Sequence, residues 1–353
     1  MTPSDLAAWQ VKFRGVTIRG RSSVMAGFSD YINVKDFGVA GDGTTDDTAA
    51  IQALITQATT NYKKAALYFP AGEYLITNPG LASNSSRAIA FIGCGIVGNR
   101  DGYHNFWNGS VLVFKTTSTQ YVGLTVGEDS IGHSGSLFEG LNFVGVNSSG
   151  QSSGGTNLSL LEIKNINRWA VLRCSFRGAT TGSGTGIMIT SNSDGTQRDA
   201  SWGRIEHCMF EEVVHCIQSP DLEGGYLATG CDFESTGVSV IHAGPQLRLE
   251  GNKFDGAPTG VIIDGGSANS VIGNAFEQIL LGVDITSAGS GNRGDNNRII
   301  GNHFRGIDGA SSEIGVRIAS GCSGNIVKMN TYEVIGGNNV VDSGSGNFVV
   351  QSG

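Results

Sequence analysis

Beyond about residue 140 the apolar residues fall into short alternating runs broken by glycine, and these runs return every 21 to 34 residues. In one recurring unit Asn or Cys stands two residues before an aromatic: Cys174/Phe176, Cys208/Phe210, Cys231/Phe233, Asn252/Phe254, Asn274/Phe276, Asn302/Phe304 and Asn330/Tyr332, with Asn142/Phe143 an imperfect first case. A second unit is Gly186-Ile187-Met188-Ile189, echoed at Gly237-Val238-Ser239-Val240, Gly260-Val261-Ile262-Ile263, Gly282-Val283-Asp284-Ile285 and Gly315-Val316-Arg317-Ile318. Alternation places the first and third residues after each glycine inside and the middle one outside. A third strand, such as Arg298-Ile299-Ile300, leads into each Asn-x-aromatic unit. Three short strands per repeat with no helix between them predict a solenoid, in which equivalent positions stack roughly 4.8 Å apart. Inward Asn amides are then expected to bond to the backbone of the next coil, and inward aromatics to fill the lumen.

Only one stretch has helical periodicity. Ile51, Leu54, Ile55 and Ala58 recur at i, i+3, i+4 and i+7 behind Thr45-Asp46-Asp47, which predicts an amphipathic helix over about 46–59 with acids in its first turn. A solenoid needs capped ends, so the helix is expected to plug the N-terminal end and the Asp46-Asp47 pair to be structural.

Composition agrees. Of 353 residues 54 are Gly and only 6 Pro, and charged residues make up 15%, so tight corners outnumber salt-bridged helices. A net charge of −8 without any Lys/Arg cluster argues against nucleic-acid binding. No secretory signal or membrane span is visible in the sequence, an expectation that fits release in a particle rather than by export. The six cysteines lack the spacing of a disulfide scaffold and are read as mostly free thiols.

The run from Val34 to Gln52, which includes Asp36-Phe37-Gly38 and Asp42-Gly43-Thr44-Thr45-Asp46-Asp47, resembles the start of the pectate-lyase-like domain of phage tailspikes and related polysaccharide-degrading enzymes. The segment Leu67-Tyr68-Phe69-Pro70-Ala71-Gly72-Glu73-Tyr74-Leu75-Ile76 does so too. The resemblance implies an all-β, right-handed, single-stranded parallel β-helix over 32–353, with 1–31 as an attachment or linker segment. It also implies a homotrimer with other virion tail proteins as partners, a location at the virion tail or outside cells, and hydrolase or lyase chemistry on a bacterial surface polysaccharide. A non-catalytic receptor-binding spike and a non-viral pectate or uronan enzyme remain alternatives.

Glycoside hydrolysis needs two carboxyl groups, so outward columns of acids are the candidates. On the Gly-Val-x-Ile face one column reads Met188, Ser239, Ile262, Asp284, Arg317, and the column two residues on reads Thr190, Ile241, Asp264, Thr286, Ala319. Asp264 and Asp284 are thus one coil and two residues apart, roughly 8 Å, inside the window for inversion. Arg317 would hold Asp284 ionised, grip an anionic sugar, or form a plain surface ion pair. The Gly315-Val316-Arg317-Ile318 segment looks like the Arg-Ile strand of polygalacturonases, without that family's paired Asp-Asp and His-Gly steps. A second column follows the aromatics: Arg177, Glu211, Glu234, Asp255, Glu277, Arg305, Glu333, with Asp232 alongside. Its four successive carboxylates suit an acid/base pair, a Ca²⁺ site or a solvated acidic edge. No other cofactor is expected. Tyr103 and Trp107 in one long loop, and Trp202 with Arg204 in another, are candidates for contacts to sugar or to a neighbouring subunit. His207-Cys208 and His215-Cys216 resemble metal-ligand spacing, but Cys208 falls at an inward phase and its neighbour His207 points the opposite way, which argues against a zinc site.

Overall fold

The computed structural model describes residues 30–61, 65–77, 80–83, 88–94, 109–115, 122–127, 133–147, 158–179, 184–191, 200–220, 224–287, 294–306 and 312–350, together with two short strands at 11–13 and 16–18. It is a right-handed parallel β-helix. One sheet has 12 strands and another 19, and neighbouring coils pair in parallel throughout both. Phe176 lies over Phe210, Phe210 over Phe233, Phe233 over Phe254 and Phe254 over Phe276, each in direct register. Their rings stack face to face, with centroids 4.6 to 5.1 Å apart between Phe210 and Phe276. The stack continues through Phe304 to Tyr332. Such offset contacts add about 1 kcal/mol per pair to the burial itself.

Each coil turns through a left-handed residue placed just ahead of the Asn or Cys. Gly251, Gly273 and Gly301 take φ values of 64°, 65° and 67°, and Arg173, His207 and Met329 occupy the equivalent turns at 50°, 54° and 58°. Glycine suits this position because the left-handed region carries no penalty for it. The following Asn is buried. Asn252 donates to Ala228 O of the preceding coil and to Asn274 Oδ1 of the next, and its own Oδ1 accepts from Cys231 N. Asn274, Asn302 and Asn330 repeat the pattern. The backbone bonds of these side chains therefore reach back to the preceding coil, and the next coil supplies mostly the neighbouring amide. A second ladder, Asn269, Asn297, Asn325 and Asn347, does the same at another corner.

The helix spans Thr48–Asn61 and buries Ile51, Leu54, Ile55 and Ala58 in the same core as the first coils. Its first turn holds no acid, contrary to expectation. Asp46 and Asp47 precede it: Asp47 accepts from Ala40 N and Gly41 N while almost fully buried, and Asp46 ties Thr48 to Thr77. All six cysteines are free, and Cys174, Cys208 and Cys231 stack in the lumen where Asn stands elsewhere.

Candidate functional site

The two acidic columns lie on the outward faces of different strands, and register decides what each holds. Ile262 pairs with Asp284 and Asp284 with Arg317, as expected. Ser239 does not belong to that column. The strands Met209–Ser219 and Asp232–His242 run continuously round a corner with irregular register, so that Ile241 pairs with Ile262 and Ser239 turns inward and is buried. Gln218 and Ile241 take the places between Met188 and Ile262.

Asp284 is 3% exposed, and both its oxygens are engaged by Arg317, from Nε at 2.8 Å and Nη2 at 2.5 Å. Asp264 accepts from Thr286 Oγ1 at 2.7 Å. The pair is thus offset as the sequence suggests, but Asp284 is saturated by a bidentate fork and has little left to offer a substrate.

The column beyond the aromatics is differently built. Glu234 pairs with Asp255, Asp255 with Glu277, Glu277 with Arg305 and Arg305 with Glu333. The column one step before the aromatics runs Asp232, Lys253, Ala275, His303, Thr331 on the same outward face. Lys253 is the residue that sequence reading missed. Its Nζ lies 2.7 Å from Asp255 Oδ2 and 3.5 Å from Glu277 Oε2, so one ammonium spans two carboxylates. Its pKa is raised, chiefly by the bond to Asp255.

Asp232, half-buried beside Lys253, behaves oppositely. Burial lifts its carboxyl above the usual range; Lys253 pulls it down, and Asp255 and Glu277 push it back up. Two acids on adjacent strands therefore sit in different surroundings, Asp232 raised by burial and Asp255 bonded to the Lys253 ammonium. Asp232 and Asp255 are one strand and two residues apart, again roughly 8 Å by strand geometry.

At the upper end of the patch Glu211 is buried. Glu212 adopts a left-handed φ of 49°, and its carboxylate receives Arg177 Nε at 2.8 Å. The Arg177 pKa is raised, first by Glu212 and then by Glu211 and Glu234. The register breaks beside it, between Phe210 and Val213 and between Val213 and His215. Bulges of this kind re-aim side chains near functional sites.

The remaining candidates fall elsewhere. Trp202 and Arg204 border the 12-stranded sheet, away from both acidic columns, and Tyr103 and Trp107 lie outside the described residues. Cys208 is buried while His207 faces out, and among the described residues no group of three or more His, Cys, Asp or Glu is arranged to hold a metal ion.

Residues 31–284 match the model of the rhamnogalacturonase A/epimerase, pectate lyase-like family. The chain belongs to that family. Among curated proteins it is similar to a glucan 1,3-beta-glucosidase of Cochliobolus carbonum, 39% identical over 71 residues that make up 20% of this chain and 9% of the relative. It is also similar to the mannuronan C5-epimerase AlgE3 of Azotobacter vinelandii, 56% identical over 57 residues, or 16% of this chain and 3% of that one. The chain thus spans less than a tenth of either relative. Among solved structures, DFA-IIIase from Arthrobacter chlorophenolicus A6 in complex with GF2 superposes with a TM-score of 0.63, covering 91% of this chain and 96% of that one at 15% identity. That likeness is one of fold.

Proposed function

We propose that this chain is a polysaccharide-cleaving enzyme, a glycoside hydrolase whose general acid is Asp232 and whose general base is Asp255. The observation that carries the reading is the placement of two acids one strand and two residues apart in unlike surroundings, Asp232 raised by burial and Asp255 bonded to Lys253 Nζ at 2.7 Å. Asp232 would protonate the glycosidic oxygen as the C–O bond breaks, while Asp255 takes a proton from the water that attacks the anomeric carbon from the other side. A spacing of roughly 8 Å leaves room for that water and favours inversion. Family membership and relatives named for acting on glucans and mannuronan support a polysaccharide substrate.

The test is release of reducing ends from a panel of bacterial surface polysaccharides. Asp232→Asn and Asp255→Asn are each expected to lower kcat by about 10² to 10⁴. Full activity in Asp232→Asn would sink the assignment. A uronan-acting lyase is the second reading, favoured by the similarity to an alginate lyase of Azotobacter vinelandii, 47% identical over 57 residues. Its mark is ultraviolet absorbance of an unsaturated product in place of simple hydrolysis. A Ca²⁺ ion at the acidic column would have to displace the Lys253 ammonium from between Asp255 and Glu277.

The setting we propose is a homotrimeric spike at a virion tail, acting on capsule, lipopolysaccharide or exopolysaccharide. Its support is the resemblance of the segments at 34–52 and 67–76 to tailspike domains. Sedimentation at the mass of a single chain would count against it.

A further inference from the structure

Trp202 is 70% exposed, the indole of a residue held at a left-handed φ of 60° at the corner that leads into the 12-stranded sheet. Arg168, Gln246, Ala268 and Asn296 have the same conformation at equivalent corners of other coils. The turn therefore accepts many side chains, and nothing in its geometry calls for an indole. The rung beneath Trp202 is bare. Trp202 N donates to Gly225 O, and a Cβ at Gly225 would lie 1.9 Å from Gln246 O and one at Gly224 2.3 Å from Ser201 Cβ. Close approach of the coils thus demands two glycines; both are buried and put no side chain between the exposed Trp202 on one rung and the exposed Gln246 two rungs on.

One side of this face is polar. Arg204 pairs in register with Leu227 and Leu227 with Arg248, so the two arginines stand two rungs apart on the outward face. Each is braced by an acid on its own strand, Arg204 by Glu206 at 3.2 Å and Arg248 by Glu250 at 2.6 Å. An interface core between protein copies is depleted of charge and builds a contiguous apolar patch. Among the described residues, the exposed ring of Trp202 is followed along this face by the Arg204–Glu206 and Arg248–Glu250 ion pairs. That combination suits a sugar, whose C–H face packs on an indole while its hydroxyls bond to guanidinium and carboxylate groups.

We infer that the exposed face of Trp202 and Gln246, with Arg204 and Arg248 at its side, is a second carbohydrate-binding site, separate from the carboxylates and without a chemical step of its own. It rests on the polysaccharide reading above, and it would hold the polymer at a distance from the point of cleavage.

The test measures binding alone, on the full chain carrying Asp232→Asn so that cleavage does not intervene. Retention is read by affinity electrophoresis through gels containing laminarin, alginate, polygalacturonate or purified capsular polysaccharides. Adding Trp202→Ala is expected to weaken retention on the bound polymer about tenfold. Trp202→Gly, which relaxes the left-handed turn, should weaken it equally while leaving thermal stability the same or higher, and Trp202→Phe should keep most of it. In the otherwise unsubstituted chain, Trp202→Ala should leave kcat on short oligosaccharides unchanged. Unaltered retention in Trp202→Ala overturns the inference, as does absence of retention of the parent chain on every polymer. A shift in sedimentation on Trp202→Ala with retention intact would make the ring a subunit contact and overturn it too. Failure of Asp232→Asn to slow cleavage would instead strike the catalytic assignment and leave the second site standing.

Discussion

Asp232 shows at the scale of one residue how function and stability pull apart. Its pKa is raised in the folded chain, so the folded state binds that proton more tightly than the unfolded one. The stabilisation is full below the ordinary carboxylate value near 3.8 and is lost as pH rises through the folded value. Asp232→Asn should therefore raise the urea midpoint at pH 7 relative to the parent and leave it unchanged near pH 3; an equal effect at both values would be inconsistent with the cause given. His242 has the reverse sign. Fully buried and bonded through Nδ1 to Ser219 Oγ at 2.8 Å, it is pushed by burial from 6.5 down to about 4. Its contribution is complete above 6.5 and disappears as pH falls from there toward 4, by an amount on the order of 3 kcal/mol. The slope of stability against pH across that window should flatten in His242→Gln. Asp47, whose oxygens receive Ala40 N and Gly41 N at 2.7 and 2.9 Å, is a fixed part of the N-terminal turn, and Asp47→Ala should cost about 2 to 4 kcal/mol by thermal melting.

The strands were the most legible part of the sequence, because the aromatic of each coil repeats openly and alternation fixes its phase. The second Asn ladder was legible too, yet it went unread: Ala268-Asn269, Asn296-Asn297, Gly324-Asn325 and Gly346-Asn347 each place a left-handed residue before an Asn, buried in the first three and half-buried at Asn347. The error at Ser239 had no such remedy. A one-residue slip turns a strand over, and the irregular register along Met209–Ser219 and Asp232–His242 leaves no trace in a Gly-Val-x-Val motif. Lys253 was hidden for another reason. Its contact with Asp255 lies two residues along its own strand, but the one with Glu277 depends on the stack, and it becomes conspicuous only when the column Asp232, Lys253, Ala275, His303 is read alongside the acids.

Cysteine in the ladder illustrates the same logic energetically. Cys231 Sγ points to Ile205 O, the equivalent of the bond from Asn252 to Ala228 O. A thiol is a weak donor and a poor acceptor, whereas the carboxamide introduced by Cys231→Asn could also accept from the Cys208 N–H. That substitution should add about 1 kcal/mol, measured as a shift in the urea midpoint at constant slope.

For the molecule as a whole, stability is set by each coil and its two neighbours. Coils in which the aromatic stack and both Asn ladders overlap, at about 252–330, should exchange their amides most slowly, and hydrogen exchange followed by mass spectrometry will show whether they do. Faster exchange at 270–277 than at 88–92 would contradict the ordering. The ladders have one further effect. Asn252 and Asn274 are 22 residues apart, as are Asn325 and Asn347, while Asn274, Asn302 and Asn330 are spaced by 28, and the hydrogen bonds are alike in every case. Surplus length is absorbed between the corners, so evolution can graft or excise material there in any amount, provided each corner keeps its asparagine: the scaffold tolerates growth outward far more readily than a shift of phase.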